Sequence, residues 1–309
     1  MIIQHKISSQ VVSWVKSNKR LLEAHEGIEN LYYPESLQEL QDLILNLRVN
    51  NESFDLIGYS SNTLFLPSYS TKHLICTKHV NKWEETDDYI ICDCGVSVSQ
   101  LARFAVEKGY VGFEGLTDLP GTIAAAVYGN CGCRGCSVNE LVKSFTLMNN
   151  KDEIKEYSIK DITPTYRSTA LKRGEIQGTI LQVILNKIQD DPEKLKKIAE
   201  YNHATRLVQQ PSAANNLGTT INGGSDITIY GKCIMVLNRL IKIIPSYKDS
   251  RKSFPLVLKI IGKGKFSPYV YYWNRYMFLD EKSHKLFNEY YSFTKQLYKD
   301  ARLEIVIRK

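Results

Sequence analysis

A run of small residues between Gly112 and Gly135 constrains the fold of this chain more than any other feature. The run contains Gly115, Gly121, three consecutive alanines and Gly132, and the small residues continue through turns as well as through a helix-like stretch. Glycine and alanine project little or no side chain, so the backbone here must closely approach either a ligand or another stretch of backbone. Packing of a helix on a sheet explains the alanines but not the small residues that follow them.

A second candidate is the turn Gly58-Tyr59-Ser60-Ser61-Asn62, which directly follows the apolar segment Phe54-Asp55-Leu56-Ile57. A turn of this composition at the end of a strand can aim successive backbone N–H groups and hydroxyls at one point, which is the geometry that binds a pyrophosphate. The motif is weak evidence by itself, because most turns of this kind are only turns.

Hydrophobic periodicity predicts an α+β chain. After Pro34-Glu35-Ser36, the apolar residues Leu37, Leu40, Leu43, Ile44 and Leu47 recur at spacings of three and four, as in an amphipathic helix between two strands. Further helices are predicted at residues 11–24, 97–108, 192–206 and 281–299, and strands at 29–33, 54–57, 89–92, 144–148, 179–185 and 303–307. The Gln- and Asn-rich stretch 208–217 is predicted to be a boundary loop. In the helix at 281–299, Phe287, Tyr290, Tyr291, Phe293, Thr294 and Leu297 are predicted to be core.

The formal net charge of +7 over 309 residues suits an anionic partner such as nucleic acid, a membrane surface or a phosphorylated small molecule. The basic residues are spread along the chain without an arginine-rich arm, so we expect no nucleic-acid partner. The apolar runs are far shorter than the roughly 20 residues that cross a bilayer, and the beginning of the sequence is polar, so we expect no membrane segment and no signal peptide.

Seven cysteines, an odd number, indicate reduced thiols and a cytoplasmic location rather than a disulfide framework. Cys92 and Cys94 form one close pair, and Cys131, Cys133 and Cys136 form a second group. Cys-x-Cys together with Cys-x-Cys-x-x-Cys could in principle ligate zinc or an iron–sulfur cluster. C-x-C spacing clamps a tetrahedral metal poorly, and no separate C-x-x-C pair is counted, so we predict no metal site.

Taken together, these segments resemble the UDP-N-acetylenolpyruvoylglucosamine reductase (MurB) family. The stretch from Gly115 through Asn130-x-Gly132-x-x-Gly135 is similar to the family's flavin-binding signature, and Gly58 to Asn62 is similar to its Gly-x-Gly-Ser-Asn turn. Tyr166-Arg167-Ser168-Thr169 resembles its Tyr-Arg-x-Ser motif. Arg206 and Gln210-Pro211, ahead of Gly218-Thr219-Thr220, resemble the run that carries its catalytic serine. The matches follow in the same order over roughly residues 30–225.

The resemblance implies a two-subdomain FAD-binding fold of the PCMH, or vanillyl-alcohol-oxidase-like, type with a C-terminal α/β substrate domain. The expected divisions are 1–75 and 76–207 for the two FAD-binding subdomains, 208–302 for the substrate-type domain and 303–309 for a returning terminal strand. FAD would be bound non-covalently between the two subdomains. The residues expected to bind it are Gly58, Tyr59, Ser60, Ser61, Asn62, Gly115, Leu119, Pro120, Gly121, Thr122, Ala125, Ala126, Asn130, Gly132, Gly135 and Tyr166.

The same resemblance implies a reaction of peptidoglycan synthesis. NADPH would reduce the flavin, which passes hydride to the enolpyruvyl ether of a UDP-N-acetylglucosamine; Arg167 would steady the product enol, and Thr219 stands where the family has its proton-donating serine. Val306 stands where the family has a catalytic glutamate. Glu304, two residues earlier and on the same face of a predicted strand, would lie roughly 6 to 7 Å from that position.

Two departures leave alternatives open. The family's Lys-His-Ala-Asn-Phe stretch is represented at best by Trp273 to Met277, and no lysine follows Thr220 in the loop Ile221 to Gly224. The chain is therefore either a reductase of the family's kind or a diverged flavoprotein with another substrate or without turnover. A nucleic-acid or protein-binding module is a third possibility. We expect a monomer whose partners are a nucleotide sugar and NADPH.

Overall fold

The computed structural model describes residues 27–65, 68–210, 217–278 and 281–308, with the backbone alone described at residue 281. The helix predicted at 11–24 and most of the predicted boundary loop, including Pro211, lie outside these residues. Within the described part, no helix is both long enough and apolar enough to cross a membrane.

Strands and helices alternate along the chain in an α+β arrangement. The strands are β1 (Ile28–Tyr32), β2 (Asp55–Ile57), β3 (Thr63–Phe65), β4 (Thr71–Cys76), β5 (Trp83–Glu85), β6 (Tyr89–Asp93), β7 (Gly132–Cys133), β8 (Cys136–Ser137), β9 (Val142–Asn149), β10 (Ile154–Ser158), β11 (Gly178–Asn186), β12 (Ile221–Asn222), β13 (Val270–Tyr272), β14 (Arg275–Tyr276), β15 (Arg302–Leu303) and β16 (Val306–Arg308). The helices are α1 (Leu37–Val49), α2 (Val98–Lys108), α3 (Ile123–Gly129), α4 (Val138–Leu141), α5 (Pro192–Gln209), α6 (Ile229–Ile241), α7 (Ser250–Ile260) and α8 (Glu281–Leu297).

The described chain forms two compact units. Unit 1 comprises Gly27–Ser60 and Ser70–Val208, and unit 2 comprises the described residues of Ser61–Tyr69 and Gln209–Lys309. Unit 1 ends at Val208, the residue at which the substrate-type domain was expected to begin. The predicted first subdomain differs from the structure in one respect, because β3 and its neighbours belong to unit 2. The division of the chain into cofactor and substrate domains stays a prediction.

Unit 1 contains two sheets. Strands β1, β4 and β2 form a parallel sheet in the order β1-β4-β2, and five antiparallel strands form a second sheet in the order β10-β9-β11-β6-β5. Helices α2 and α3 and the first turns of α5 contribute to the core of the larger sheet. The strands predicted at 89–92, 144–148 and 179–185 are confirmed as β6, β9 and β11.

Helix α1 joins the cores of the two sheets. It begins where the Ser36 hydroxyl accepts a hydrogen bond from the Glu39 amide, so the first turn has a side-chain cap. Its apolar stripe is buried as predicted, with Leu40, Leu43, Ile44 and Leu47 facing inward. These residues pack in one cluster with Tyr32 and Ile75 of the parallel sheet and with Met148 and Leu181 of the antiparallel sheet. The single amphipathic face thereby holds both sheets of unit 1 together.

Unit 2 is more helical than the sequence predicted. Helices α6 and α7, which the sequence interpretation missed, pack with α8 around an aromatic core. The predicted core positions of α8 are confirmed for Phe287, Tyr290, Phe293, Thr294 and Leu297, all of which are buried. Tyr291 is partly buried against the same core.

The terminal strand predicted at 303–307 is wrong as a continuous element. β15 pairs antiparallel with β12, whereas β16 pairs parallel with β3, and the chain changes partner at Glu304 and Ile305. The expectation that Glu304 and Val306 share one strand face is therefore not met. A segment that pairs first with one strand and then with another must interrupt its ladder of backbone hydrogen bonds. The local sequence carries no signal for this interruption.

The role of α1 leads to a stability prediction. Ile44 is 0% exposed, and Ile44→Ala is expected to lower the free energy of unfolding by about 2 to 5 kcal/mol through lost apolar contact and a residual cavity. Val49, in the same helix, is 79% exposed, and Val49→Ala is expected to change the free energy of unfolding by less than about 0.5 kcal/mol. Urea unfolding followed by far-UV circular dichroism measures both. Equal effects of the two substitutions would contradict the assignment of α1 as the joining element.

Candidate functional site

The turn after β2 lies against the residue that begins α3. A Cβ atom built on Gly58 would lie 2.5 Å from the Thr122 Oγ1 and 2.7 Å from its Cγ2, distances that real side chains do not tolerate. Gly58 is thus required for the close approach of the two predicted flavin segments within unit 1. The binding of FAD between these segments, which the resemblance implied, stays a prediction.

Two helix caps complete this junction. Ser97 caps α2, Thr122 caps α3, and the two residues form an isolated antiparallel bridge. Burial, followed by the nearby Cys76, raises the pKa of Tyr59, so its phenol stays protonated at neutral pH. Ser97 was missed by the sequence interpretation as a site residue, although Ser97 at the start of a helical pattern is a recognisable cap signal.

The amide N–H groups of Gly121 and Thr122 have no hydrogen-bond partner among the residues that the structure describes. The next three amides do have partners: Ile123 donates to the Val96 carbonyl, Ala124 to the Cys94 carbonyl and Ala125 to the Thr122 hydroxyl. Two consecutive N–H groups beside the Gly58 turn, at a Gly121 φ of 135°, make a small donor set for an anion. The residues at this junction therefore fit a pyrophosphate.

Several other glycines of the run face the protein itself. A Cβ on Gly115 would meet the Cys133 carbonyl oxygen and lie 2.8 Å from the Cys136 Sγ, and one on Gly132 would lie 2.5 Å from the Cys136 carbonyl oxygen. At Gly135, by contrast, a Cβ would meet nothing within 4 Å, and its φ of 81° explains the glycine. Close approach of backbone to backbone, one of the two explanations open from the sequence, accounts for Gly115 and Gly132.

The segment after α3 is held by the predicted arginine. Asn130 ends α3 at a left-handed φ of 45°, and its side chain donates to the Thr165 carbonyl at 2.7 Å. The Arg167 guanidinium donates to the carbonyls of Asn130 at 3.3 Å and Gly132 at 2.6 Å. The Tyr166-Arg167 motif and the Asn130 to Gly135 segment are therefore adjacent. Arg167 itself has a φ of 54°, a left-handed conformation that non-glycine residues adopt at a cost.

The remaining cofactor candidates differ in exposure. Leu119 is partly buried and packs against the core of the larger sheet, whereas Pro120 and Ala125 are exposed. Ala126 is buried in that core, so its small size serves packing inside unit 1. Tyr166 is exposed. Ser61 and Asn62 belong to unit 2, where the Asn62 side chain donates to the Glu304 carbonyl at 2.8 Å.

Thr219 and Thr220 have different environments in unit 2. Thr220 is fully buried, and its hydroxyl donates to the Asn274 carbonyl at 3.1 Å while accepting from the Tyr276 amide at 3.2 Å. Thr219 is partly exposed, and its hydroxyl has no partner among the described residues. Of the two adjacent hydroxyls, that of Thr219 is thus available for chemistry and that of Thr220 serves the fold.

Glu304 lies beside this pair of threonines. Its amide donates to the Thr220 carbonyl at 3.0 Å, and its carboxylate accepts from the Asn222 side chain at 3.2 Å. Val306 donates its amide to the Asn62 carbonyl at 2.9 Å. The structure therefore brings Thr219 and Glu304 onto neighbouring segments of unit 2, whereas Arg167 belongs to unit 1.

The loop after Thr220 is filled by aromatic side chains. A Cβ on Gly223 would lie 2.6 Å from the Trp273 ring and 2.9 Å from the Tyr298 ring, and these two rings stack with centroids 4.6 Å apart. Trp273 to Tyr276, which the resemblance matched only poorly, thus packs directly on the loop that lacks a lysine.

Comparison with known proteins identifies the domain type. A family model described as an FAD binding domain matches residues 28–158, so the chain carries an FAD-binding domain. The chain is 31% identical over 198 residues to the UDP-N-acetylenolpyruvoylglucosamine reductase of Carboxydothermus hydrogenoformans, covering 64% of this chain and 65% of that protein. It is 37% identical over 135 residues to the corresponding protein of Caulobacter vibrioides, covering 43% and 44%. The matches span less than two thirds of the length of these relatives.

The fold is also found in a solved structure. The UDP-N-acetylenolpyruvylglucosamine reductase of Thermus caldophilus superposes with a TM-score of 0.66 at 18% identity, covering 91% of this chain and 92% of that one. This likeness confirms the predicted two-subdomain FAD-binding fold with its additional C-terminal part.

The backbone of the Gly58 turn gives a testable prediction. Ser60 is buried with a φ of 48°, where the resembled family has glycine. We expect Ser60→Gly to be more stable than Ser60→Ala by about 1 kcal/mol, because both lose the hydroxyl but only alanine keeps the left-handed strain. At an unstrained position alanine would be the more stable of the two. The midpoint temperatures of thermal unfolding of the two variants test this prediction. A higher midpoint for Ser60→Ala than for Ser60→Gly would show that the left-handed conformation at Ser60 is wrong.

Proposed function

We propose that this chain, a relative of the UDP-N-acetylenolpyruvoylglucosamine reductases that shares their FAD-binding fold, is an FAD-dependent reductase of a nucleotide-sugar enolpyruvyl ether. The observation that carries the proposal is the junction of Gly58 with Thr122, beside the amides of Gly121 and Thr122, which have no hydrogen-bond partner in the described part of the chain. Backbone N–H groups that converge where no side chain projects are suited to a dinucleotide pyrophosphate.

In unit 1, we assign cofactor binding to two neighbouring groups of residues. The Gly58-Tyr59-Ser60 turn with Gly121 and Thr122 would hold the pyrophosphate, and the hairpin after Asn130 would contact the remainder of the cofactor. Bound FAD would supply hydride transfer, with NADPH as the source of electrons. The Arg167 guanidinium uses one hydrogen of each of two nitrogens for the Asn130 and Gly132 carbonyls, which leaves donors for a substrate carboxylate.

In unit 2, we assign proton transfer to Thr219. Reduction of an enolpyruvyl ether requires hydride at one carbon and a proton at its neighbour, and a positioned hydroxyl can provide that proton. The Thr219 hydroxyl is partly exposed and uncommitted within the described residues, unlike that of Thr220. Glu304 is the carboxylate nearest along the chain to the position that Val306 occupies. We further expect a cytoplasmic monomer.

A diverged flavoprotein is the second candidate, and it is favoured by one specific observation. Trp273 and Tyr298 fill the space beside Gly223, and Val306 supplies no carboxylate. A site modified in this way suits a different substrate or the binding of flavin without turnover.

Purified protein distinguishes the two candidates. The leading proposal expects a yellow protein that oxidises NADPH faster when the enolpyruvyl ether of UDP-N-acetylglucosamine is added. A yellow protein that ignores this substrate at every concentration would eliminate the leading proposal and leave the second. A colourless protein that cannot be reconstituted with FAD would remove both.

The assignment of Thr219 predicts a specific mutational pattern. Thr219→Ser is expected to retain turnover, because the hydroxyl remains, whereas Thr219→Val is expected to lower kcat by about 100-fold or more while FAD stays bound. Turnover is measured as substrate-dependent NADPH oxidation, and the flavin absorbance of each variant reports its FAD content. Equal kcat values for the two variants would show that another group donates the proton.

Val306 provides the matching test of the second candidate. If the chain is a diverged flavoprotein adapted to another substrate, Val306→Glu, alone or with Thr219→Ser, is expected to leave reductase turnover nearly unchanged. A strong rise in turnover in the double variant would instead indicate that an ancestral reductase site has lost its carboxylate.

A further inference from the structure

Cys133 and Cys136 lie opposite each other in the β7–β8 hairpin, whose Gly132 carbonyl accepts a hydrogen bond from Arg167. Strands β7 and β8 pair Cys133 with Cys136 and Gly132 with Ser137. The connecting residues Arg134 and Gly135 have φ values of 54° and 81°, as in the two-residue turns that favour tight hairpins. Directly opposed residues of an antiparallel pair have side chains on the same face, with Cβ atoms about 4.5 to 5.5 Å apart. The Cα atoms of such a pair lie about 4.5 to 5.5 Å apart, within the roughly 4.4 to 6.8 Å that a disulfide spans, so closure requires only that the Cβ atoms approach to about 4 Å.

The sequence interpretation overlooked this pair. Cys133-Arg134-Gly135-Cys136 is a C-x-x-C segment, whereas the cysteines were interpreted there as C-x-C pairs. None of the seven cysteines, all of which the structure describes, forms a disulfide. Within the described residues, no group of three or more His, Cys, Asp or Glu side chains is arranged to hold a metal ion.

The β7–β8 register excludes Cys131 as the partner of Cys136. Cys131 lies opposite Val138, whose amide donates to the Cys131 carbonyl at 2.9 Å. Its sulfur lies 3.2 Å from the position that a Cβ on Gly129 would take. The natural partner of Cys136 is therefore Cys133.

Cys136 is also in contact with the predicted flavin segment. Its sulfur lies 2.8 Å from the position that a Cβ on Gly115 would take. Burial raises the pKa of Cys136 to about 11, so at neutral pH this residue is a thiol. Cys136 is thus the poorer first nucleophile, and we assign the first attack to Cys133.

We propose that Cys133 and Cys136 form a reversible thiol–disulfide couple, closed by a small-molecule disulfide such as oxidised glutathione, that changes the hairpin beside Gly115. The couple is a modification site in its own right. Its effect on the cofactor rests on the function proposed above, because Gly115 belongs to the segment assigned to FAD.

The disulfide between Cys133 and Cys136 forms in two thiol–disulfide exchange steps. The Cys133 thiolate attacks one sulfur of oxidised glutathione, the glutathione S–S bond breaks, and one glutathione thiolate leaves. Cys136 then loses its proton and attacks the Cys133 sulfur, which releases the second glutathione thiolate. The protein gives up two electrons and two protons, and the two glutathione molecules take them. Because the second step needs the Cys136 thiolate, its rate is expected to rise about tenfold per pH unit below pH 11.

Closure has a structural consequence at Gly115. The Cys136 sulfur must turn toward Cys133, which changes its contact with the Gly115 backbone. FAD is therefore expected to bind more weakly to the oxidised chain, and reduction is expected to restore binding.

Trypsin provides a direct test, because cleavage after Arg134 separates the two cysteines. The full-length protein is incubated at increasing ratios of oxidised to reduced glutathione, alkylated, denatured and digested. We expect peptides 109–134 and 135–143 to become joined, with the loss of two hydrogen atoms. Dithiothreitol is expected to separate them.

Serine variants identify the residues and exclude the neighbour. Cys131→Ser is expected to keep the link, whereas Cys133→Ser and Cys136→Ser are expected to abolish it. A link that disappears in Cys131→Ser, no link at any glutathione ratio, or a stoichiometric metal ion on the reduced thiols would each overturn the proposal. Formation of the link in a chain that never binds FAD would sink the proposed function and leave the thiol couple standing. FAD binding by a chain that never forms the Cys133–Cys136 disulfide would overturn the thiol couple and leave the proposed function standing.

Discussion

The close contact of Gly58 with Thr122 is the constraint on which the rest of the site depends. The turn after β2 follows a strand of the parallel sheet, whereas α3 packs in the core of the antiparallel sheet. A single added methyl group at Gly58 would collide with the threonine side chain. Thr122 in turn caps α3 and bridges to Ser97, the cap of α2. The amides that a dinucleotide would need are thus positioned by the same residue that the glycine contacts.

Much of the fold of unit 1 could be predicted from local patterns. The stripe from Leu40 to Leu47 determines the buried face of α1, and the apolar runs of β6, β9 and β11 are long enough to be recognised as strands. The site could be predicted as a set of segments because Gly58, Gly121 and the residues near Asn130 follow a collinear motif. Sequence spacing could not show that Gly115 and Gly132 pack against the Cys133–Cys136 hairpin rather than against open space.

Unit 2 was harder to predict for physical reasons. Helices α6 and α7 follow short polar turns, and α7 carries Pro255 within it, which obscures the helical pattern. The terminal segment changes partner from β12 to β3 at Glu304, an exchange set by tertiary pairing and not by strand propensity. The role of Glu304 consequently depends on its contacts with Thr220 and Asn222, which no strand-face argument could supply.

A double-mutant cycle on FAD affinity tests the central claim most directly. The account predicts that Gly58→Ala weakens FAD binding strongly and that Thr122→Ala weakens it modestly. In the double variant Thr122→Ala is expected to relieve part of the Gly58→Ala defect, because the Thr122 Oγ1 and Cγ2 atoms at 2.5 and 2.7 Å are removed and only its Cβ at 3.2 Å remains. Titration of each apoprotein with FAD, followed by quenching of flavin fluorescence, gives the four dissociation constants. Wild-type affinity in Gly58→Ala, or strictly additive effects in the double variant, would contradict the account.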